Sequence, residues 1–494
     1  MKWGKTLSFF AGRKIADQER LCSVDSSTGG SRVFRFRPEF RLHHTSGLRT
    51  DKFKMKVVML GWEYPPQISG GLGTACEGLT RSLARHEVDI RFVVPYLYGS
   101  ENAPHMTLVD PTPTGLAFNH FESIEKTSES KRIRTERIEA FLSPYWTPEV
   151  FERKLTALHE LRGTKELRRR FARSVPKEIQ VCRRNGNKYG QNIFEEVGLY
   201  TSNVLATIGS DRSFDLIHAH DWMTYPAGVA LAELTGKPLV VHVHSLEYDR
   251  SGANVNHEID HIERMGTSRA TKVIAVSHYT KSLLQQHHGL NPEKIAVVHN
   301  GVYPREATRS YQRSTDWPEK SVLFLGRVTF QKGPDYFVEA AARVIEHVPG
   351  VVFIMAGSGD MLDRMVQRTK ELEIQDNFWF PGFVRGAELE RMLSLADLYV
   401  MPSVSEPFGI SALEAISFDT PAIISRQSGV SEVLDHALKV DFWDVDRLAD
   451  LIINGLLHQE LREDMISMAR EEVKRLRWDA AADKTFSVYS GLAH

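Results

Sequence analysis

Short apolar runs alternate with longer amphipathic stretches along most of this chain. KVVMLG at 56–61 and SVLFLG at 321–326 have the length of buried strands, and each is followed by a glycine-containing loop and a helical pattern of apolar residues. VVFIMA at 351–356 and ADLYVM at 396–401 are further runs of this kind. Strands that alternate with helices are typical of parallel sheets with helices on both faces. The pattern therefore predicts an α/β protein.

A polar stretch without periodicity, residues 304–318, separates two sets of these units and has the composition of a linker. We therefore expect one domain at 55–303 and another at 319–475. Each is expected to be a Rossmann-like, doubly wound sheet. Because such sheets bind ligands at the carboxyl ends of their strands, two facing domains would bind substrate in the cleft between them.

Two segments do not fit the alternating pattern. Residues 104–190 form a charged, helical insertion with interspersed aromatic residues, which is either a solvated face or an acceptor surface. Residues 1–54 contain 12 Lys or Arg against 5 Asp or Glu and no sustained periodicity, so we expect a disordered basic extension. Met55, directly before the first strand, is an alternative natural start.

Composition narrows the function classes. The 494 residues are 42% hydrophobic and carry a net charge of −1, which does not indicate a nucleic-acid partner. No apolar run approaches the ~18 residues of a membrane span, so no integral membrane segment is expected. The cysteines, Cys22, Cys76 and Cys182, have no paired spacing, and we expect a reducing, cytoplasmic setting.

The most informative stretch is PSVSEPFGISALE at 402–414, which follows the strand ADLYVM and leads into a helix. It places Glu406 on a loop at the strand end and Glu414 on the next helix, which should begin at about Gly409. Free amides of Gly409, Ile410 and Ser411 would attract phosphate. A nucleotide-sugar fits this arrangement, with its diphosphate at the helix start, Glu406 towards the sugar and Glu414 towards the ribose.

Two glutamates separated by seven residues, with PFG after the first, resemble the signature of retaining GT-B glycosyltransferases. That family includes glycogen and starch synthases and the group-one sugar transferases. In RVTFQKG, Arg327 and Lys332 resemble the donor-phosphate motif, and two cations there can stabilise a departing diphosphate. The resemblance implies two Rossmann-like domains facing across a cleft and a nucleotide-sugar donor, with no metal or other cofactor.

The N-terminal half carries further motifs of this resemblance. ISGGLGT is similar to the KTGGLGD of glycogen synthases, which implies that Gly70, Gly71 and Gly73 lie against the donor, although Ser69 replaces the lysine. HAHDW at 218–222 implies Asp221 beside the acceptor cleft. HVHS at 242–245 implies His244 against the donor sugar and His242 in the core. Asn300 would close the domain at the cleft, and the helix at 476–494 would cross back to the N-terminal domain.

The resulting hypothesis is an enzyme, a hexosyltransferase of glycogen-synthase type, that moves glucose from ADP- or UDP-glucose to an α-glucan. Arg327, Lys332, Glu406 and His244 are its expected catalytic residues. A transferase for lipid or cell-surface glycans is the alternative within the family. A GT-B sugar-nucleotide epimerase, a metal-dependent hydrolase that uses the paired histidines, and a catalytically silent sugar-binding protein remain open outside it.

Overall fold

The computed structural model describes residues 55–66, 70–97, 99–111, 193–303, 311–314 and 317–492. The expected extension at 1–54, nearly all of the insertion at 104–190 and much of the linker at 304–318 lie outside these ranges. The described residues form one compact unit.

The first half of the chain builds a sheet of seven parallel strands in the order β3-β2-β1-β4-β5-β6-β7. Its strands are nearly continuous apolar runs because helices cover both faces. The strands are β1 Met55–Leu60, β2 Val88–Val93, β3 Thr107–Val109, β4 Leu216–His220, β5 Leu239–Val243, β6 Lys272–Ala275 and β7 Ile295–Val297. The edge strand β3 pairs in parallel with β2, so it belongs to the sheet and not to the insertion expected from residue 104.

Helices connect these strands and pack on both faces. They are α1 Gly71–Leu83, α2 Ile193–Ile208, α3 Tyr225–Thr235, α4 Glu247–Ser251, α5 His257–Arg269 and α6 His278–His288. Ser277 caps α6, since its Oγ accepts a hydrogen bond from the Thr280 amide at 2.9 Å.

The second half builds a six-stranded parallel sheet in the order β10-β9-β8-β11-β12-β13. Its strands are β8 Lys320–Leu325, β9 Val351–Ala356, β10 Phe378–Gly382, β11 Leu398–Met401, β12 Ala422–Ser425 and β13 Leu438–Val440. Its helices are α7 Pro334–His347, α8 Leu362–Glu371, α9 Ala387–Leu395, α10 Ile410–Ser417, α11 Val445–Leu457 and α12 Gln459–Val473.

In both sheets the strand order reverses next to the first strand, between β1 and β4 and between β8 and β11. This reversal is the feature of a doubly wound fold at which ligands bind. The expected pair of Rossmann-like domains is confirmed. The position of Asp446 directly before RLADLIINGLL predicts it as the N-cap of α11, but this prediction is wrong. Asp444 is the cap, because its carboxylate accepts a hydrogen bond from the Arg447 amide at 3.0 Å while Asp446 pairs with Arg343.

The last helix, α13 Trp478–Ser490, leaves the second domain and packs against α1 of the first. Trp478 is buried over Gly78, where an added Cβ would lie 2.1 Å from the indole ring. The Val302 amide also donates to the Leu476 carbonyl at 2.9 Å. The chain therefore crosses between the domains twice, once after Val302 and once after Leu476, and the two crossings lie side by side.

Trp478→Ala should lower the free energy of unfolding by about 3–5 kcal/mol, because it removes a buried indole and leaves a cavity between α1 and α13. Chemical denaturation followed by circular dichroism measures this. Trp443→Ala is the matched control, since the Trp443 side chain is 58% exposed and should cost far less. Equal losses in the two variants would contradict the role given to α13.

Candidate active site

Glu406 is held at the carboxyl end of β11 by main-chain hydrogen bonds on both sides. Its amide donates to the Gln427 carbonyl and its carbonyl accepts from the Gly429 amide, each at 2.9 Å. Residue 406 thus pairs as a short parallel bridge with Ser428, in the loop after β12. This arrangement fixes the backbone of a buried glutamate, so its carboxylate has a defined direction.

The carboxylate of Glu406 pairs with Lys332. Lys332 Nζ lies 2.5 Å from Glu406 Oε2, and Ser403 Oγ donates to the same oxygen at 3.2 Å. The side chains are 20% and 8% exposed, so the ion pair is shielded from water on most sides. A charge-assisted hydrogen bond of this kind is stronger than one between neutral groups.

The loop that carries Lys332 also holds Arg327. The Arg327 guanidinium donates to Gln331 Oε1 at 3.4 Å, and the Gln331 carbonyl accepts from the Val404 amide at 2.9 Å. Gly333 allows this close approach, because its φ is +63° and a Cβ there would lie 2.2 Å from the Pro402 carbonyl oxygen. The structure therefore brings Arg327, Lys332 and Glu406 together, as the sequence predicts.

The helix after this loop begins where expected. Gly409 precedes Ile410–Ser417 with φ of 111°, and Ser411 Oγ is hydrogen-bonded to the Tyr399 hydroxyl at 2.7 Å. Ile410 packs against core residues of both domains. Glu414 lies one turn further on, partly exposed, and desolvation raises its pKa. The helix start therefore faces the junction between the domains.

On the N-terminal side, Gly70 precedes α1 and Gly71 and Gly73 lie in its first turn. A Cβ at Gly70 or Gly71 would meet no atom within 4 Å, so this backbone is open to close approach. The Gly73 amide donates to the Glu63 carboxylate at 3.2 Å. An acidic side chain thus already binds one of the helix amides that the sequence assigns to a ligand anion. Ser69 lies outside the described residues.

The two histidine pairs converge, because β4 and β5 are neighbours and His220 is in register with His242. Successive rings stack, with centroids 4.2 Å apart in each pair, His218 with His220 and His242 with His244. His220 Nδ1 is hydrogen-bonded to His244 Nε2 at 3.0 Å. Burial lowers the pKa of His218 and of His244 to about 3, so both rings are neutral at pH 7.

Asp221 supports the loop that carries His244. It has a positive φ of 59°, and its Oδ1 accepts hydrogen bonds from the amides of His244 at 2.7 Å and Ser245 at 3.3 Å. Burial raises the pKa of Asp221 to about 6, although both hydrogen bonds oppose that shift. The carboxylate predicted to lie at the acceptor cleft therefore positions the main chain of His244.

Asn300 is buried after β7, next to Gly301, where a Cβ would lie 2.3 Å from the Trp478 amide nitrogen. The structure therefore places Asn300 where the chain crosses between the domains. The neighbouring His299 ring packs near Phe408, with centroids 5.8 Å apart, and its Nε2 lies 3.2 Å from the Glu432 carboxylate. The Glu432 carboxylate, which belongs to the second domain, also accepts hydrogen bonds from the amides of His278 and Tyr279 at the start of α6.

A second cross-domain contact reaches the residue next to Glu406, and the sequence analysis missed it. Ser405 Oγ donates to Asp249 Oδ1 at 2.5 Å, and the Tyr279 hydroxyl is 2.9 Å from the same Oγ. Ser277 Oγ donates to the Pro407 carbonyl at 2.6 Å. Both sides of the Glu406 loop are therefore fixed by the first domain. Asp249 in SLEYD has no sequence signal for this role beyond its position at the start of a short helix.

Comparisons with known proteins agree with this geometry. The family model "Glycosyl transferases group 1" matches residues 309–472, which include Arg327, Lys332 and Glu406. The family model "Glycosyltransferase Family 4" matches residues 166–306. The two matched segments thus carry two glycosyltransferase families, group 1 at residues 309–472 and family 4 at residues 166–306. The chain is therefore a transferase with the GT-B fold.

Relatives of this glycosyltransferase cover most of its length. An uncharacterized glycosyltransferase of Methanocaldococcus jannaschii is 28% identical over 455 residues, which are 88% of this chain and 98% of the relative. The glycogen synthase of Mycobacterium tuberculosis is 25% identical over 387 residues, 77% of this chain and 80% of that enzyme. Anabaena HepE, crystallised with UDP and glucose, is 16% identical, with a TM-score of 0.58 over 89% of this chain and 100% of HepE. That likeness concerns the fold alone.

No helix in the described part of this glycosyltransferase is both long and apolar enough to cross a membrane.

The buried Asp249 gives a prediction about pH. Burial raises its pKa to about 6 from 3.8, against hydrogen bonds from Ser405 and Leu246, so the folded protein keeps this proton where the unfolded chain has lost it. Stability contributed by this group is therefore lost as pH rises from about 4 to about 6. As pH rises from 4 to 7, the free energy of unfolding of Asp249→Asn should therefore increase by roughly 3 kcal/mol relative to that of the parent.

Denaturation of both proteins across that pH range measures the gain. Asp363→Asn, which changes an exposed acid on α8, is the control and should show no comparable trend. A constant difference between the parent and Asp249→Asn would show that Asp249 titrates alike in the folded and unfolded states.

Proposed function

We propose that this protein transfers glucose from ADP- or UDP-glucose to an α-glucan with retention of the anomeric configuration. The observation that carries the proposal is the Lys332–Glu406 pair at the carboxyl end of β11, directly before the N-terminus of α10. Cations, a fixed carboxylate and free helix amides at one sheet edge suit a nucleotide-sugar.

The donor would extend along this edge. Amides at Gly409, Ile410 and Ser411 bind the diphosphate, Glu414 lies towards the ribose, and the glycine loop before α1 approaches from the first domain. Glu406 and His244 hold hydroxyls of the sugar, His244 as a neutral imidazole. Because Arg327 and Lys332 lie on the loop after β8, they meet the oxygens on which negative charge develops as the sugar leaves.

The proposed reaction takes place on one face of the sugar. The bond between the anomeric carbon and the diphosphate oxygen breaks, and the acceptor hydroxyl oxygen bonds to that carbon from the same side. Its proton passes to the departing diphosphate, so the protein need not supply a base. The reaction so described uses helix amides and basic side chains and no metal ion, and we place it in the cytoplasm because the three thiols lack paired spacing.

The α-glucan acceptor is supported by the motifs HAHDW, HVHSLEY and EPFGISALE and by the glycogen synthase relative. A lipid or cell-surface glycan acceptor is the alternative. The test measures nucleotide release from ADP-glucose, UDP-glucose, GDP-mannose and UDP-N-acetylglucosamine, each with and without glycogen, with Glu406→Ala as the inactive control. NMR of the product gives the anomeric configuration.

Glycogen-dependent release from a glucose donor, with an α-linked product, supports the proposal and names the nucleotide. Release that glycogen does not stimulate moves the search to other acceptors. Formation of an epimeric sugar-nucleotide favours the epimerase, and activity lost on adding a chelator favours the hydrolase. Silence with every donor contradicts the proposed function.

A further inference from the structure

The histidine cluster has more buried nitrogen atoms than hydrogen-bond partners. No partner within the described residues reaches Nε2 of His218, Nε2 of His220, either ring nitrogen of His242 or Nδ1 of His244. The rings of His218, His220 and His242 are almost fully buried. Leaving buried polar atoms without partners costs free energy, and native proteins rarely do so without a functional reason. These unpartnered atoms mark the cluster as a candidate site, and the nitrogens placed to share one ion are His220 Nδ1 and His244 Nε2, which are hydrogen-bonded to each other.

The cluster also includes a thiol. Cys76, on α1, is fully buried, and its sulfur lies within 4.8 Å of one nitrogen each of His220 and His244. We propose that Cys76, His220 and His244 bind a divalent transition-metal ion of the Zn²⁺ type. One thiolate and two imidazoles are a donor set that Zn²⁺ accepts in proteins, with the fourth position open to solvent or a ligand.

The distances suit such an ion. Zn–N bonds of about 2.0–2.1 Å in a tetrahedral site place two nitrogens about 3.3 Å apart, and His220 Nδ1 and His244 Nε2 are 3.0 Å apart. Binding needs a small separation of the two rings and an approach of Cys76. His220 and His244 would carry their hydrogens on the outer nitrogens, which their neutral tautomers allow without any change in proton number.

The proton balance involves Cys76. Its S–H bond breaks, sulfur bonds to the metal, and one proton leaves to solvent, while the metal keeps its charge state. Burial, and then the carboxylates of Asp221 and Glu63, raise the pKa of this thiol, so its proton is lost only when a metal binds, and the same carboxylates would favour that cation. Each of these carboxylates accepts main-chain hydrogen bonds, so neither is offered as a ligand.

The site is most accessible at His244. Cys76 and His220 are fully buried, whereas His244 is partly exposed. A bound ion would therefore occupy the His244 ring that the proposed function assigns to the donor sugar, and it would inhibit transfer. This consequence rests on the proposed function, whereas metal binding itself does not.

The experiment uses the full chain with Cys22→Ser and Cys182→Ser, which leaves Cys76 as its single thiol. Titration with Co²⁺ should give a near-ultraviolet thiolate-to-cobalt absorption band that saturates at one equivalent and disappears when Zn²⁺ is added. Adding Cys76→Ser should abolish the band while the circular dichroism spectrum is unchanged. Binding at either of the other two donor sets among the described residues, His218 with His220 and His242 or Asp260 with Glu263 and His288, produces no such band because neither set contains sulfur.

Absence of the band at saturating Co²⁺ overturns the proposal. Cobalt d–d absorption without the thiolate band also overturns it, since the ion would then bind nitrogens alone. In activity assays, Zn²⁺ should inhibit nucleotide release, and Cys76→Ser should raise the inhibitory concentration at least roughly tenfold. If no donor is turned over, the cobalt spectrum still decides whether the site exists.

Discussion

Glu406→Gln is expected to lower turnover by roughly 10²–10³-fold, the usual loss when one group that stabilises a transition state is removed. The backbone of Glu406 is fixed by hydrogen bonds to Gln427 and Gly429, so the amide side chain would stay in place. Under the proposed function, what changes is the charge beside the sugar, where positive charge would develop as the diphosphate leaves. Steady-state kinetics with the best donor should show the loss in kcat, with little change in KM.

Glu339→Gln is the matched control, because this acid lies on α7 and pairs with Arg368 away from the strand ends. It should retain normal kcat. Thermal unfolding of Glu406→Gln separates a catalytic defect from a folding defect. Near-normal turnover of Glu406→Gln would remove Glu406 from the mechanism.

Lys332→Met should lower kcat by about 10²-fold or more, because the cation that would stabilise the diphosphate is lost. It should also destabilise the fold, since Glu406 Oε2 then keeps a hydrogen bond from Ser403 but no counter-charge. Lys332→Arg keeps the positive charge but carries it on a planar guanidinium, so it should recover part of the activity. The measurements are kcat and the thermal midpoint of both variants.

The double variant Lys332→Met with Glu406→Gln distinguishes the two effects. Since both members of the ion pair are then neutral, its thermal midpoint should recover towards that of the parent while activity stays low. Strictly additive losses in stability would show that the two side chains do not interact in solution.

Local features of the site could be predicted from the sequence because they depend on neighbouring residues. A strand that ends at Met401 and a helix that begins after Gly409 fix the positions of Glu406 and Ser411. The same reasoning places the loop RVTFQKG directly after β8. Because β8 and β11 are parallel neighbours, this loop and the Glu406 loop lie at the same edge of the sheet. The N-cap of α11 is ambiguous in the sequence because two aspartates, Asp444 and Asp446, stand close enough to its start to cap it.

Contacts between distant segments could not be predicted. The hydrogen bond from Ser405 to Asp249 depends on how the two domains face each other, which periodicity does not report. In the sequence the two histidine pairs lie at the ends of two separate strands, and periodicity does not show that they meet. Register between β4 and β5 merges them into one cluster, with Cys76 of α1 beside it.

Helix α13 has a consequence for synthesis on the ribosome. The N-terminal domain is made first, but its core includes Trp478, Ala482 and Tyr489, and the Tyr489 hydroxyl is hydrogen-bonded to His218 at 2.5 Å. Its packing can be completed only after residues 478–490 have emerged, whereas every strand of the second sheet has been made by then. The domain translated first therefore finishes folding last, and until then the surface of α1 around Gly78 is exposed to chaperones.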